Sequence, residues 1–261
     1  MAIDLFSIGR FTVHGYGLMI GIGYVLAVLI GGYRTKKLGL SEEDFTNIAI
    51  CVLIFGWMGG KLLFLLVNIK SFIRDPLPLL GSEGFVVYGG IITGILSIFV
   101  YCKIKKLSFL SYMDMMAPAV AINQGFGRIG CFMAGCCYGK PTDSHFGVVF
   151  PEGCLAPAGV SLIPTQLISA AFDLAMAVFL MAVTRKVKYR GVISGLYLMM
   201  YGVGRFIIEI FRDDVDRGMV GALSTSQFIS IFMVIFAAGY LYSVYKNKPA
   251  TEYTSPAQTG Q

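Results

Sequence analysis

Four ionisable side chains lie inside long apolar stretches of this 261-residue chain: Lys61, Arg128, Arg205 and Glu209. A charge within a membrane costs roughly 2.5–3.5 kcal/mol on insertion scales, so such residues are usually retained for function. Arginine presents planar donors that match the geometry of a phosphate. The combination therefore predicts a membrane protein that handles an anionic headgroup.

Arg205 belongs to a polar stripe. Glu209 follows it by four residues and Tyr201 precedes it by four, so all three share one helix face. Arg212 extends this face toward the outer surface. The ion pair could serve only to ease insertion of the helix. We favour a guanidinium that Glu209 holds toward a phosphate, because a membrane helix seldom carries such a stripe without a polar cavity to face.

Arg128 has no acidic residue within a helical turn, and Gly127 and Gly130 flank it. Glycine permits a close approach of backbone to a ligand or a neighbouring helix. An interfacial arginine that extends toward the headgroups and a headgroup-binding arginine both fit this pattern.

Cysteines are concentrated just after this arginine, at Cys131, Cys136 and Cys137, with Cys154 further along. A metal site is weakly indicated, because the spacing is not CxxC and His145 is the only nearby imidazole. A disulfide involving Cys154 would fit an oxidising outer face. Small inert residues packed between helices are the interpretation that we rank first.

The composition indicates a membrane protein. Hydrophobic residues make up 56% of the chain and charged residues 14%, against about 25% in soluble domains. The mean hydropathy is +0.73. The net charge of +6 does not indicate a nucleic-acid partner, because the basic residues cluster in short loops between apolar runs.

Seven apolar runs predict an all-α polytopic protein with seven transmembrane helices, at 14–33, 47–69, 85–104, 113–131, 165–184, 191–211 and 226–245. The first run has no cleavage site at its end, so we expect it to be retained as a span. The fourth is the least apolar, and we expect it to pack inside the bundle and face a polar cavity. Polar residues interrupt it at Asp114, Pro118, Asn123, Gln124 and Arg128.

Basic residues in the loops predict that the N-terminus is outside and the C-terminus cytoplasmic. With that orientation twelve of them fall on the cytoplasmic side: Arg34, Lys36, Lys37, Lys103, Lys105, Lys106, Arg185, Lys186, Lys188, Arg190, Lys246 and Lys248. We expect residues 1–246 to form one integral membrane domain with an ordered outer head segment at about 131–164. Residues 247–261 are predicted to be a disordered cytoplasmic tail.

Seven sequence motifs, in order, resemble those of the prolipoprotein diacylglyceryl transferase family. They are Phe6-Ser7-Ile8-Gly9 with Val13-His14-Gly15-Tyr16-Gly17, Gly59-Gly60-Lys61, Tyr88-Gly89-Gly90, Gly127-Arg128-Ile129-Gly130, Ile163-Pro164-Thr165-Gln166-Leu167, Ser194-Gly195-Leu196 with Tyr201 to Arg212, and Ser226-Gln227. The resemblance covers nearly the whole chain.

The resemblance implies a multi-pass enzyme of the bacterial cytoplasmic membrane. Its donor would be phosphatidylglycerol and its acceptor the lipobox cysteine thiol in the signal peptide of a preprolipoprotein, with glycerol 1-phosphate released and no cofactor or metal required. The implied catalytic residues are Tyr16, Tyr88, Arg128, Tyr201 and Arg205. The implied substrate-binding residues are His14, Lys61, Arg128, Gly130, Gly139, Arg205, Glu209 and Arg212.

Several positions depart from the family pattern. Tyr88 stands where the family has histidine, Lys61 where it has arginine, and Ile163 where it has histidine. Cys131 and Cys136 replace an asparagine and a glutamate, and Ala134 replaces a second asparagine. A paralogue with a different acceptor and a non-catalytic phospholipid binder are therefore alternatives. A small-solute transporter is disfavoured, because the two halves show no inverted repeat.

Overall fold

The structure is a computed structural model that describes residues 4–8, 11–82, 84–213 and 218–248. The helices in these ranges are α1 (Gly15–Lys37), α2 (Glu42–Val67), α3 (Ile69–Arg74), α4 (Pro76–Gly81), α5 (Val87–Lys105), α6 (Phe109–Ala134), α7 (Thr165–Thr184), α8 (Val192–Glu209) and α9 (Thr225–Asn247). Three antiparallel hairpins are formed by β1 (Asp4–Ile8) with β2 (Phe11–His14), β3 (Val148–Val149) with β4 (Ser161–Leu162), and β5 (Met219–Val220) with β6 (Leu223–Ser224). The predicted tail from residue 249 onward lies outside the described residues, as does Gly9 of the first motif.

Six helices of the described chain are long and apolar enough to cross a membrane: α1, α2, α5, α7, α8 and α9. They correspond to six of the seven predicted spans, and the chain is a multi-pass membrane protein. The remaining predicted span corresponds to α6, which lies outside this set. Its 26 residues would extend about 39 Å, more than the roughly 30 Å of a bilayer core.

Helix α6 is the central helix of the bundle. It packs against α1 on one side and against α7 and α8 on the others, and half of its residues are buried. Small residues permit the closest approaches: a Cβ on Gly23 would lie 2.5 Å from the Cβ of Phe126, and one on Gly125 would lie 2.7 Å from the side chain of Leu174. Close approach through glycine is typical of helix packing in lipid. Because its neighbours shield α6, it can carry polar side chains that a lipid-facing helix cannot.

Contacts between loops place the basic segments at one end of the bundle. Arg34 at the end of α1 donates a hydrogen bond to the Met181 carbonyl near the end of α7. Arg190, before α8, donates to Ser108, before α6. The basic segments that end α1, follow α5 and join α7 to α8 therefore lie at the same end of the bundle.

The hydrogen bonds of Asp114 explain why α6 carries a carboxylate. It is fully buried and accepts hydrogen bonds from the backbone N–H groups of Gly191 and Ser194 at 2.6 and 2.8 Å and from the Ser194 hydroxyl at 2.9 Å. These groups form the first turn of α8, whose N–H groups have no partner within the helix. Asp114 thus caps α8 from a neighbouring helix and fixes α8 against α6.

The head segment between α6 and α7 packs around a small hydrophobic core. Its small core contains Phe150, Ala156 and Leu162, packed against Phe132 at the end of α6. The β3–β4 hairpin lies directly before α7. The head therefore rests on the end of the bundle opposite the basic loops.

Candidate active site

The stripe predicted on α8 forms a buried ion-pair network. The Arg205 guanidinium lies 2.8 Å from the Glu209 carboxylate and donates a second hydrogen bond, at 3.0 Å, to the Ser226 hydroxyl at the start of α9. Glu209 is 1% exposed. The predicted pairing of Arg205 with Glu209 on one helix face is confirmed.

Arg212 joins the same network. It was expected to carry the stripe to the outer surface, but it is buried and its guanidinium lies 3.3 Å from the Glu209 carboxylate. The reason is that the head segment covers it: Gly139 pairs with Arg212 in an antiparallel bridge, and the N–H of Lys140 donates to the carbonyl of Phe211. One carboxylate consequently holds two arginines.

Arg128 projects from α6 toward this network. It is half-buried and forms no hydrogen bond or ion pair within the described part of the chain. Arg128 and Arg205 both lie within electrostatic reach of the buried Asp173 on α7. Arg128 and Arg212 also lie within electrostatic reach of Arg205.

We call the group of Arg128, Arg205, Arg212, Asp173 and Glu209 the arginine cluster. Arg128, Arg205 and Arg212 contribute three guanidinium groups, whereas Asp173 and Glu209 contribute two carboxylates. These groups lie in a largely buried setting, where opposite charges interact more strongly than in water. A phosphodiester carries one negative charge and would be attracted to the guanidinium groups.

Tyrosines border the cluster. The Tyr201 ring stacks on Tyr197 with centroids 5.9 Å apart, and the Tyr197 hydroxyl donates to the Gln124 side chain on α6 at 2.8 Å. Tyr201 lies within electrostatic reach of Arg128. It also lies within electrostatic reach of Arg205, with which it was predicted to share a helix face.

Tyr16 lies in the first turn of α1. A Cβ on Gly130 would lie 3.1 Å from both the ring and the carbonyl oxygen of Tyr16, so the backbone of α6 approaches α1 closely at this glycine. Tyr16 is 45% exposed and lies within electrostatic reach of Arg128. His14 directly precedes α1 and is also exposed.

Gly139 positions the head segment over the cluster. Its N–H donates to the Ile163 carbonyl at 3.0 Å, and a Cβ at this position would lie 2.7 Å from that oxygen. A larger residue would therefore fit only if Gly139 or its neighbours Ile163 and Thr165 moved, which would disturb the bridge to Arg212.

Lys61 and Tyr88 belong to a different group. The Lys61 amine donates hydrogen bonds to the carbonyls of Leu79 and Ser82 at 3.0 and 2.6 Å, which anchors the segment after α4 to α2. Tyr88 is 51% exposed in the first turn of α5. Within the described residues, neither side chain shares a hydrogen bond or an ion pair with the arginine cluster.

Three cysteines meet beside the cluster. The sulfurs of Cys131, Cys136 and Cys137 all lie within 4.8 Å of one another, and all six cysteines of the chain are free. Hydrogen bonds from the neighbouring thiols, followed by the positive charges of Arg212 and Arg128, lower the pKa of the Cys137 thiol. The disulfide considered for Cys154 is not present.

From the sequence alone, Asp114 was only an interruption of an apolar run and Ser226 only part of a matched motif. Gln166, also in a motif, donates to the Cys136 carbonyl at 2.7 Å, and Thr165 donates to the Cys137 carbonyl at 2.8 Å. The polar residues of that motif therefore hold the cysteine turn in place.

The fold and the site together define a class: a multi-pass helical membrane protein with a buried cationic cluster under an extramembrane head. The family model for prolipoprotein diacylglyceryl transferase matches residues 4–243. The chain belongs to the prolipoprotein diacylglyceryl transferase family, as the motifs indicated.

Curated relatives carry the name of the same family. The chain is 48% identical over 233 residues to the phosphatidylglycerol–prolipoprotein diacylglyceryl transferase of Clostridium tetani, with 88% of this chain and 93% of the relative covered. It is 43% identical over 255 residues to phosphatidylglycerol–prolipoprotein diacylglyceryl transferase 2 of Clostridium perfringens, with 97% and 98% covered. A more distant relative in Clostridium botulinum is 28% identical over 247 residues.

Proposed function

We propose that this protein transfers the diacylglyceryl group of phosphatidylglycerol to the lipobox cysteine thiol of a preprolipoprotein. Family membership and the names of the relatives support the donor and the acceptor protein. The observation in this chain that carries the proposal is the arginine cluster, in which one guanidinium, that of Arg128, has no hydrogen bond or ion pair among the described residues.

The three arginines fall into two roles. Arg128 binds the phosphate directly, since its donors are not used by the protein. Glu209 holds Arg205 and Arg212 in fixed positions. The remaining N–H donors of these arginines therefore need not move when negative charge develops on the phosphate. Tyr16 and Tyr201 flank Arg128 and donate hydrogen bonds to the headgroup or the leaving phosphate.

The reaction is a substitution at carbon. The acceptor sulfur attacks the carbon of the diacylglyceryl group that bears the phosphate ester. The bond between that carbon and the ester oxygen breaks, and its electron pair stays on the phosphate. A thioether and glycerol 1-phosphate are the products, and the thiol proton leaves to water. Guanidinium groups stabilise the second negative charge that forms on the phosphate.

We also propose seven membrane-crossing helices, with α6 as the seventh, in the cytoplasmic membrane with the N-terminus outside. The basic loops gather at one end of the bundle, which is the cytoplasmic end by the positive-inside rule. The head segment and Arg212 then lie at the outer end, where an exported signal peptide with its lipobox is accessible.

The remaining predicted site residues line the periphery. His14 and Gly139 shape the outer entrance, and Gly130 brings Tyr16 against α6. Lys61 acts through the segment that it anchors at Leu79 and Ser82, and Tyr88 contacts the lipid or peptide chains rather than the phosphate.

The test is complementation in cells depleted of their own transferase, followed by an assay of the purified protein with phosphatidylglycerol and a lipobox peptide. Wild type should restore lipidated lipoprotein, whereas Arg128→Ala should lower transfer about 10²–10³-fold, as for loss of one oxyanion donor. Arg74→Ala, on the exposed outer helix α3, is the matched control. Full activity of Arg128→Ala would refute the phosphate role, and absence of lipidation by well-expressed wild type would refute the function.

A further inference from the structure

The cysteine cluster is built by local backbone geometry. Cys131 lies in the last turn of α6, and Gly135, with φ of 72°, ends that helix. Cys137 has φ of 59°, a left-handed conformation that non-glycine residues rarely adopt. These two turns reverse the chain, so that Cys136 and Cys137 come back over Cys131.

The turn is fixed from outside as well. The N–H of Cys136 donates to the Cys131 carbonyl at 3.1 Å, and Gln166 and Thr165 on α7 hold the carbonyls of Cys136 and Cys137. Gln166 is 1% exposed. Side chains of α7 therefore hold the turn in the conformation that brings the three sulfurs together.

The sulfur spacing suits a metal ion. Tetrahedral zinc binds thiolates at about 2.3 Å, which places ligand sulfurs roughly 3.8 Å apart. The three sulfurs already lie within 4.8 Å of one another, so shifts below about 1 Å would complete the geometry. A disulfide would use only two of the three, and adjacent cysteines such as Cys136 and Cys137 rarely bond to each other.

The residues around the three cysteines suit an anionic metal centre with an open coordination position. Arg128 and Arg212 lie within electrostatic reach of Cys137, and Tyr16 lies within reach of all three cysteines. A zinc ion held by three thiolates carries one net negative charge, which these arginines would offset. Three protein ligands also leave one position open, as in catalytic zinc sites.

We propose that Cys131, Cys136 and Cys137 bind one zinc ion and that the acceptor thiol occupies its fourth position, the second part resting on the proposed transferase function. On binding zinc, the acceptor thiol releases its proton to water and becomes a thiolate. That sulfur then attacks the glycerol carbon, the carbon–oxygen bond breaks toward the phosphate, and the thioether product leaves the zinc. No oxidant or reductant takes part.

The first measurement is the metal content of the full chain purified in detergent. Wild type should carry about one zinc per chain, and Cys131→Ser, Cys136→Ser or Cys137→Ser should lower it at least about fivefold. Cys154→Ser is the matched control, because Cys154 lies in the same head but outside the cluster. The proposal would be overturned if the wild type purified without zinc or with copper instead. It would also be overturned if a variant with serine at all three positions kept its zinc.

Cobalt provides a readout that does not depend on folded variants. Wild type stripped with a chelator should bind Co²⁺ with a thiolate-to-metal charge-transfer band, and a lipobox peptide should then shift the ligand-field bands. The same peptide with serine for cysteine should leave them unchanged. A spectrum that does not respond to the cysteine peptide overturns the role of the fourth position.

The pH dependence of transfer distinguishes activation of the acceptor thiol by zinc from stabilisation of the fold by zinc. A free thiol with pKa of about 8.5 is only about 3% ionised at pH 7, so removal of zinc should slow transfer up to about thirtyfold there. The difference should vanish above about pH 9.5, where the thiol ionises unaided. An equal loss at every pH indicates a structural metal and overturns the activation step. Normal transfer without zinc overturns the proposal but leaves the transferase function intact, whereas zinc binding without any transfer supports the metal site and refutes that function.

Discussion

Glu209→Gln is the substitution that tests the arginine cluster most directly. The glutamine keeps the shape of the glutamate and removes its charge. In the wild type the Glu209 carboxylate holds Arg205 at 2.8 Å and Arg212 at 3.3 Å and is 1% exposed. The variant replaces the charged acceptor that both guanidinium groups share with a neutral one in a buried setting.

The magnitude follows from the two hydrogen bonds. A bond to a charged group contributes about 1.5–3 kcal/mol and a neutral one about 0.5–1.5 kcal/mol, so the substitution loses about 1–1.5 kcal/mol per bond. Two bonds give about 2–3 kcal/mol, or roughly 30–150-fold in rate, if the whole loss falls on the transition state. We expect a fall mainly in kcat, because the added positive charge preserves attraction for the anionic lipid while the arginines lose their fixed positions.

The assay measures transfer from phosphatidylglycerol in mixed micelles to a lipobox peptide, with kcat and KM determined separately. Glu42→Gln is the control, since the Glu42 carboxylate lies 3.6 Å from Lys36 in a pair that is 47% and 74% exposed. Such surface pairs contribute less than about 1 kcal/mol. A Glu209→Gln variant with at least half of wild-type kcat, or with a raised KM and normal kcat, would refute the assignment of Glu209 as the residue that positions the arginines.

Three further predictions follow from the described contacts. Asp114→Ala removes the cap of α8 and should destabilise the protein by about 1–3 kcal/mol per unpaired N–H group, seen as a lower Tm in detergent, whereas Asp114→Asn should lose less. Gly139→Ala should lower both Tm and transfer, since overpacking costs about 1–3 kcal/mol, while Gly21→Ala, which meets no atom within 4 Å, should change neither. Arg205→Lys keeps its charge but should slow transfer about tenfold or more, because lysine lacks the planar set of donors; wild-type kcat would contradict this.

Much of the fold was predictable because lipid imposes strict rules on a chain. Apolar runs of membrane length located the long helices, and the spacing of Arg205 and Glu209 placed both on one face. The family motifs led to the correct family. Local periodicity acts within one helix, so relations inside α8 could be predicted from the sequence, except at its end, where Arg212 is buried by a segment distant in the chain.

Contacts between helices determined the features of the fold and the site that the sequence did not predict. Hydropathy alone marked α6 as the least convincing span, and its polar residues acquired a reason only when α1, α7 and α8 surrounded it. Asp114 was an interruption in the sequence and became a helix cap in the structure. Lys61, grouped with the arginines by its apolar surroundings, instead binds the carbonyls of Leu79 and Ser82.

The sequence by itself therefore determined that this is a multi-pass membrane protein, which residues carry intramembrane charge, and which family the chain resembles. These properties depend on composition and on spacing along one helix. The tertiary structure alone decided which charges face each other, that one carboxylate serves two arginines, and that three cysteines meet beside Arg128. The physical reason is that buried charges and thiols take their properties from neighbours within a few ångströms, and here those neighbours are brought together from α6, α7, α8 and the head segment.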